Sequence, residues 1–97
     1  MPFQIRNIVF DKSFEKDFKK YKKRLTVQEI DKLRQKLDIF KKDPFDKKLK
    51  THKLKGELKN YFGFWINYSD RIVFRFIDNQ TAFFIIIGDH SIYKKIK

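Results

Sequence analysis

Histidine and arginine are the side chains of this sequence best suited to chemistry on a phosphate group. Histidine transfers protons readily at neutral pH because its unperturbed pKa lies close to that value. Arginine binds phosphate well because its planar guanidinium can donate two parallel hydrogen bonds. Both histidines and two of the arginines lie in the second half of the chain, among apolar segments separated by short turns. His52, Arg71, Arg75 and His90 are therefore the candidates for proton transfer and phosphate binding.

Aromatic and lysine side chains accompany these candidates. Trp65 is predicted to lie on the outer face of a strand, where an aromatic ring can stack on an unpaired base. Lysines are frequent between residues 47 and 59, and Lys53 and Lys55 follow His52 closely. We expect these residues to contact RNA. An ordinary solvated surface would also carry lysines, so the residue types alone leave both interpretations open.

The acidic residues do not form a pattern that would hold a metal ion. A two-metal nuclease needs clustered carboxylates, but the acidic residues after position 44 are scattered among predicted turns: Asp46, Glu57, Asp70, Asp78 and Asp89. The sequence also lacks a phosphate-binding glycine loop and the histidine and cysteine spacings of metal sites. We therefore expect neither a metal ion nor a cofactor. Cleaving RNA without metal then requires side chains that remove one proton, neutralise the phosphorane and donate another proton.

The charge balance favours an anionic partner. The 24 lysines and arginines exceed the 12 acidic residues and give a formal net charge of +12 on 97 residues. Such a charge attracts nucleic acid, although a lysine-rich composition alone would produce it too. The absence of cysteine suits a reducing compartment, and the longest apolar run, residues 82–87, is too short to cross a membrane. We expect a cytoplasmic protein with one domain over residues 1–97.

The first half of the chain is predicted to form one strand and a helical hairpin. Residues 4–10 alternate weakly between polar and apolar and are predicted as the strand. A first helix is predicted from three aromatic residues that share one helical face: Phe14, Phe18 and Tyr21. Thr26 and Glu29 form a capping-box sequence that opens a second helix. That helix should end before Pro44, because the residue preceding proline disfavours the helical conformation.

The second half is predicted to form three antiparallel strands. Residues 45–60 are polar and are expected to form a loop, and strands are expected over residues 61–67, 71–78 and 82–87. Arg71, Val73 and Arg75 should point outward from the middle strand, and residues 88–90 should leave the sheet. The predicted fold class is α+β, with the helical hairpin packed on one face of the three-stranded sheet.

The order of these motifs resembles the RelE/ParE superfamily of type II toxins. The motifs are residues 52–56 (HKLKG), an aromatic strand, residues 70–74 (DRIVF) and residues 88–93 (GDHSIY). The first and last of them are most similar to the YafQ branch of the superfamily. The resemblance covers nearly the whole chain, including both predicted helices.

The resemblance implies an activity and its partners. Members of this kind are ribosome-dependent endoribonucleases that cut mRNA in the ribosomal A site. The attacking group would be the RNA's own 2′-hydroxyl, and the product a cyclic phosphate. The resemblance also implies a cognate antitoxin protein that blocks the toxin, besides the ribosome and mRNA as partners.

The resemblance further implies roles for individual residues. His90 matches a histidine or arginine involved in proton transfer or leaving-group stabilisation, and Arg71 matches the arginine that holds the scissile phosphate. His52 matches a histidine of the YafQ branch. Tyr93 matches a C-terminal aromatic residue that orients the substrate or stacks on it. Asp70 corresponds approximately to an acidic residue of the branch.

One departure leaves the general base open. The YafQ branch tends to carry a further histidine at the position of Trp65. The resemblance also leaves open a ParE-like role, in which the same fold inhibits DNA gyrase without cleaving RNA. A non-catalytic basic RNA-binding module is a further alternative. His90 favours the nuclease, because ParE-like chains usually lack a histidine at that position.

Overall fold

The computed structural model describes residues 4–89 and 91–92, in which two helices pack on one face of a single sheet. In chain order the elements are β1 (Asn7–Phe10), α1 (Lys12–Lys23), α2 (Val27–Lys42), β2 (His52–Lys53), β3 (Phe62–Trp65), β4 (Asp70–Asp78) and β5 (Thr81–Asp89). Two short 3-10 turns, Lys47–Leu49 and Gly56–Leu58, flank β2. The α+β class and the helical hairpin are confirmed.

Capping residues open both helices, and α2 begins and ends where the sequence predicts. The Asp11 carboxylate accepts a hydrogen bond from the Ser13 amide and opens α1. Thr26 and Glu29 form the reciprocal capping box of α2, because each side chain accepts from the other residue's backbone amide. Asp43, the residue before the proline, ends α2. Neither helix in the described part of the chain has the length and apolar character needed to span a bilayer.

The sheet is larger than predicted. It has five strands in the order β1-β5-β4-β3-β2, with β1 parallel to β5 and the other pairs antiparallel. The prediction of a three-stranded antiparallel sheet was therefore wrong in strand number. β2 has only two residues and lies in a lysine-rich segment, so it shows none of the apolar alternation that predicts a strand. β5 also continues to Asp89, although residues 88–90 were expected to leave the sheet.

The main core lies between the helices and the sheet and is largely aromatic. The fully buried Phe40 of α2 has its ring centroid 4.8 Å from Phe64, 4.9 Å from Phe74 and 5.2 Å from Phe84. These distances are typical of stacked and edge-to-face aromatic pairs. The three partners come from β3, β4 and β5, so a single helix residue contacts all three interior strands of the sheet.

A second, smaller core covers part of the opposite face of the sheet. Val73 is fully buried there with Leu54 and Ile92. Val73 therefore points away from the main core, as expected, but it is buried there and not exposed to solvent. Leu54 follows β2 and Ile92 follows β5, so two segments that are distant along the chain cover this residue. Arg71 and Arg75 lie on the same face as Val73, because they are two residues away from it along β4.

Candidate active site

Arg71 is a nearly buried cation at the beginning of β4. It is 7% exposed. Its Nη1 atom donates to the backbone carbonyls of Asn67 (3.1 Å), Tyr68 (3.0 Å) and Asp70 (3.1 Å). All three hydrogen bonds come from Nη1, so the edge formed by Nε and Nη2 takes no part in them. The β3–β4 turn therefore holds the guanidinium in place through Nη1, and Nε and Nη2 have no hydrogen bond to any described residue.

The ring of Trp65 supports the guanidinium of Arg71. The two residues are paired across β3 and β4, and the guanidinium carbon lies 3.8 Å from the Trp65 ring centroid. A second cation, the Nζ atom of Lys50, lies 5.1 Å from the same centroid. Lys50 adopts a left-handed backbone conformation with φ of 51° at the end of the first 3-10 turn. Two cations thus share one aromatic ring, which concentrates positive charge at this point of the surface.

Asn67 fixes the turn that holds Arg71. Its Oδ1 atom accepts from the backbone amides of Ser69 (2.8 Å) and Asp70 (2.7 Å). Its Nδ2 atom donates to the Asp70 carboxylate (3.1 Å) and to the hydroxyl of Tyr21 (3.2 Å). The carbonyls that bind Arg71 therefore belong to a turn that is itself hydrogen-bonded from within and to α1.

The Asp70 carboxylate faces α1. It accepts a hydrogen bond of 2.6 Å from the hydroxyl of Tyr21, a residue buried on the inner face of the helix. Burial raises the pKa of the Tyr21 hydroxyl, and the hydrogen bond to Asp70 and the charge of that carboxylate raise it further. Tyr21 thus remains the donor and Asp70 the acceptor. Because Asp70 and Arg71 are consecutive in a strand, their side chains lie on opposite faces of the sheet.

We predict that Tyr21→Phe destabilises the protein by about 1.5–3 kcal/mol, the usual contribution of a hydrogen bond to a charged group. A raised folded-state pKa means that the hydroxyl stabilises the fold below its unfolded pKa of about 10. That contribution is lost as the pH rises from there through the folded-state value. Denaturant unfolding of both proteins at pH 8 and above pH 10 checks this. The stability difference should shrink at the higher pH.

Tyr61→Phe is the matched control for this experiment. It removes a tyrosine hydroxyl just before β3, on the side of the sheet that carries the smaller core. We expect it to change the unfolding free energy by less than Tyr21→Phe. A difference between wild type and Tyr21→Phe that is the same at both pH values would contradict the assignment of the hydrogen bond.

The structure brings His52 onto the face of Arg71 and separates some of the other candidates from it. His52 pairs with Gly63, two residues before Trp65, so its exposed side chain lies on the same face as Trp65. Its Nδ1 atom is 3.1 Å from the carbonyl of Lys50. Lys53 pairs with Phe62 and lies on the opposite face.

The remaining candidates divide into those away from Arg71 and those outside the described residues. Arg75 lies further along β4, with its guanidinium carbon 5.1 Å from the Phe83 ring centroid. Lys55 is exposed between β2 and the second 3-10 turn. His90 and Tyr93 lie outside the described residues.

The described residues on either side of position 90 lie close to Arg71. Gly88 is the β5 partner of Arg71. Ile92 packs so closely over Gly88 that a Cβ added to this glycine would lie 2.5 Å from the Ile92 Cγ2 atom. Glycine is therefore required here by the close approach of the following segment. Ile92 lies on the Arg71 face of the sheet, where it also covers Val73.

Three residues of the site were not singled out from the sequence. Tyr21 was predicted only as a buried helix residue, although a buried hydroxyl needs a hydrogen-bond partner. Asn67 followed by Asp70 in a turn is a sequence signal for side-chain-to-backbone bonds. Lys50 had no distinguishing signal among the neighbouring lysines. Within residues 4–89 and 91–92, no three histidine or acidic side chains are grouped as a metal ion would require.

The same fold is found in solved bacterial toxins. A YoeB/ParE toxin from Agrobacterium tumefaciens matches with a TM-score of 0.71 and 22% identity, over 87% of this chain and 98% of that one. A copper-bound mutant toxin from Helicobacter pylori matches with a TM-score of 0.66 and 27% identity, over 88% and 94%. The DinJ–YafQ toxin–antitoxin complex from E. coli matches with a TM-score of 0.70 and 21% identity, over 90% and 94%. The fold is that of RelE/ParE-superfamily toxins.

The sequence also identifies the family. The model of the family described as "Bacterial toxin of type II toxin-antitoxin system, YafQ" matches residues 6–95. The chain therefore belongs to the YafQ family of type II toxins, as its motifs indicated. No curated protein sequence matches the chain.

Proposed function

We propose that this toxin is a metal-independent endoribonuclease that cleaves mRNA on the ribosome, with Arg71 holding the scissile phosphate. The observation that carries the proposal is the geometry of the Arg71 guanidinium. It is held by three carbonyls and the Trp65 ring and keeps the Nε–Nη2 edge out of those hydrogen bonds. That edge is the part of arginine that binds two phosphate oxygens at once.

The surroundings of Arg71 suit the stabilisation of a developing negative charge. A donor that is already fixed in place needs no reorganisation as the phosphorane forms, and it acts most strongly where water is excluded. Arg71 is nearly buried and fixed, and Lys50 adds a second positive charge at the same ring. The net charge of +12 attracts the RNA to this surface.

The two histidines supply the proton transfers in this proposal. His52 accepts the proton of the 2′-hydroxyl, whose oxygen attacks phosphorus and forms the cyclic phosphate. His90 donates a proton to the 5′-oxygen as its bond to phosphorus breaks. The position of His52 on the Arg71 face supports the first assignment. The pairing of Gly88 with Arg71 and the contact of Ile92 with Gly88 support the second. Tyr93 orients or stacks on the substrate.

Asp70 is better assigned to positioning than to proton transfer. Its carboxylate accepts from Tyr21 and Asn67 on the helix side of the sheet. Its backbone carbonyl accepts from Arg71. We therefore propose that Asp70 holds the turn in the conformation that fixes Arg71.

We also propose that a protein antitoxin binds this toxin and inhibits it. The support is membership of a type II toxin family and the fold shared with the toxin of the E. coli DinJ–YafQ complex. Co-expression of the toxin with a candidate antitoxin encoded beside it, followed by co-purification, tests this partner.

Primer extension on cellular mRNA after toxin expression tests the nuclease. Cuts that follow the reading frame are expected, because ribosome-bound message is cut in the A site. No cuts, together with DNA breaks and an SOS response, would instead show gyrase inhibition. Growth arrest without cuts or DNA breaks would favour a non-catalytic RNA-binding protein.

We predict that replacing both Lys53 and Lys55 by glutamine weakens the salt dependence of ribosome binding. Each lost phosphate contact lowers the magnitude of the slope of log affinity against log salt by about one unit. The slope of the double variant should therefore be smaller by about two units. Stability should change little, because exposed lysines contribute little to it. Binding measured between 50 mM and 300 mM salt checks the slope.

The matched control is Lys12→Gln with Lys16→Gln. It removes the same charge from exposed positions on α1. If the slope of log affinity against log salt falls by the same amount in both double variants, ribosome binding depends on the net charge of the toxin and not on the segment around His52.

A further inference from the structure

Tyr68 combines high exposure with a rigid backbone. Its side chain is 86% exposed, the highest value among the large apolar and aromatic side chains of the described residues. Its carbonyl nevertheless accepts a hydrogen bond of 3.0 Å from Arg71, and the next two amides are bound by Asn67. The turn therefore holds the backbone of a residue whose aromatic ring is exposed to solvent.

The Tyr68 ring lies beside the phosphate-binding group. Its centroid is 6.1 Å from that of Trp65, with the two ring planes at 85°. The Arg71 guanidinium also contacts Trp65, with its carbon 3.8 Å from the indole centroid. A nucleotide whose phosphate is bound by Arg71 would bring a neighbouring base to the Tyr68 side of Trp65.

The ring of Trp65 already makes three contacts within the protein. Its contacts with the cations of Arg71 and Lys50 and its edge-to-face contact with Tyr68 occupy it. The Tyr68 ring contacts Trp65 in an edge-to-face arrangement and is otherwise exposed, so it offers the larger aromatic surface available to an unpaired base at this site. Stacking needs no particular base edge and depends on ring size, so it favours purines modestly.

We propose that Tyr68 is a stacking platform for the unpaired base next to the scissile phosphate, and that it sets a purine preference at that nucleotide. The proposal rests on the ribonuclease function proposed above. The ligand is one nucleobase of the message, positioned by the phosphate that Arg71 binds.

The first experiment measures stacking without cleavage. A message with a 2′-deoxy nucleotide at the cleavage site and 2-aminopurine on one side of the scissile phosphate, then on the other, is placed in the A site of programmed ribosomes. Wild-type toxin and Tyr68→Phe should quench the 2-aminopurine fluorescence at one of the two positions. Tyr68→Ala should not. Equal quenching by wild type and Tyr68→Ala, or none by wild type, would overturn the proposal.

The second experiment measures cleavage with and without the neighbouring base. An abasic nucleotide there removes the base and keeps the phosphate. Stacking on an aromatic ring corresponds to about 5- to 150-fold in kcat/KM. The kcat/KM of wild type should be lower by that factor on the abasic message than on the intact one. Tyr68→Ala should be slow on both messages, and Tyr68→Phe should behave as wild type.

These outcomes separate the two proposals. A wild-type toxin that cleaves no message but quenches 2-aminopurine in a Tyr68-dependent way would refute the nuclease and support the platform. A Tyr68→Ala toxin that cleaves the intact and abasic messages as wild type does would refute the platform and leave the nuclease standing. Loss of antitoxin affinity in Tyr68→Ala with unchanged cleavage would show that the ring serves a protein partner instead.

Discussion

Arg71→Ala is expected to slow RNA cleavage by about 10²–10³-fold, the usual effect of removing one fixed donor from a developing oxyanion. The variant also removes three hydrogen bonds to carbonyls of the turn, so its fold must be checked by thermal unfolding. Arg71→Lys keeps the charge but cannot donate a pair of parallel hydrogen bonds, and its rate should fall between those of Arg71→Ala and wild type. Single-turnover cleavage on programmed ribosomes measures all three.

Arg75→Ala is the matched control for Arg71. It removes the same residue type from the same face of β4, where the guanidinium lies over Phe83. We expect it to cleave within a few-fold of wild type. A folded Arg71→Ala protein that cleaves as fast as Arg75→Ala would remove Arg71 from the mechanism.

His90→Ala is expected to slow cleavage by about 10²–10⁴-fold, the usual contribution of a general acid. The variant should abolish growth arrest while still binding the antitoxin. Its cleavage rate should also no longer fall at high pH through deprotonation of the general acid. The decisive measurement replaces the departing 5′-oxygen of the message by sulfur. A thiolate leaves without a proton, so this message should restore most of the lost rate.

His52→Ala provides the comparison for His90→Ala. His52 is proposed to remove the 2′-hydroxyl proton, a step that the sulfur substitution does not replace. The His52→Ala variant should therefore remain slow on the sulfur-containing message. If His90→Ala cleaves the ordinary message at nearly the wild-type rate, another group protonates the leaving oxygen.

The helices could be predicted because their signals are local. Phe14 and Phe18 repeat at helical spacing, and the capping box of Thr26 and Glu29 lies within four residues. β2 could not be predicted, since its two residues depend on pairing with β3 and carry no pattern of their own. The burial of Val73 was missed for a related reason. Its cover comes from Leu54 and Ile92, which the chain brings there from two different segments.

The sequence predicted the residue types of the candidate site but not the hydrogen bonds that hold them in place. Arg71 and Trp65 share a face because of strand alternation, which can be read along the sequence. The hydrogen bonds of Tyr21 to Asp70 and of Asn67 to Tyr21 join residues 49 and 46 positions apart. No pattern along the chain indicates contacts over such separations. They depend on how α1 packs against the sheet.

The parallel pairing of β1 with β5 determines when this toxin can fold during its synthesis. Residues 7–10 pair with residues 81–84, so the first strand has no partner until residues 81–84 have left the ribosome. β5 also lies between β1 and β4, and until it is inserted the buried faces of Phe14, Phe40 and Phe74 lack the contact with Phe84. Pairing over such a separation is slow, because the loop-closure entropy must be overcome first. A nascent or truncated chain that ends before Thr81 therefore exposes its aromatic core, and the fold is completed only when the residues of β5 are available for pairing.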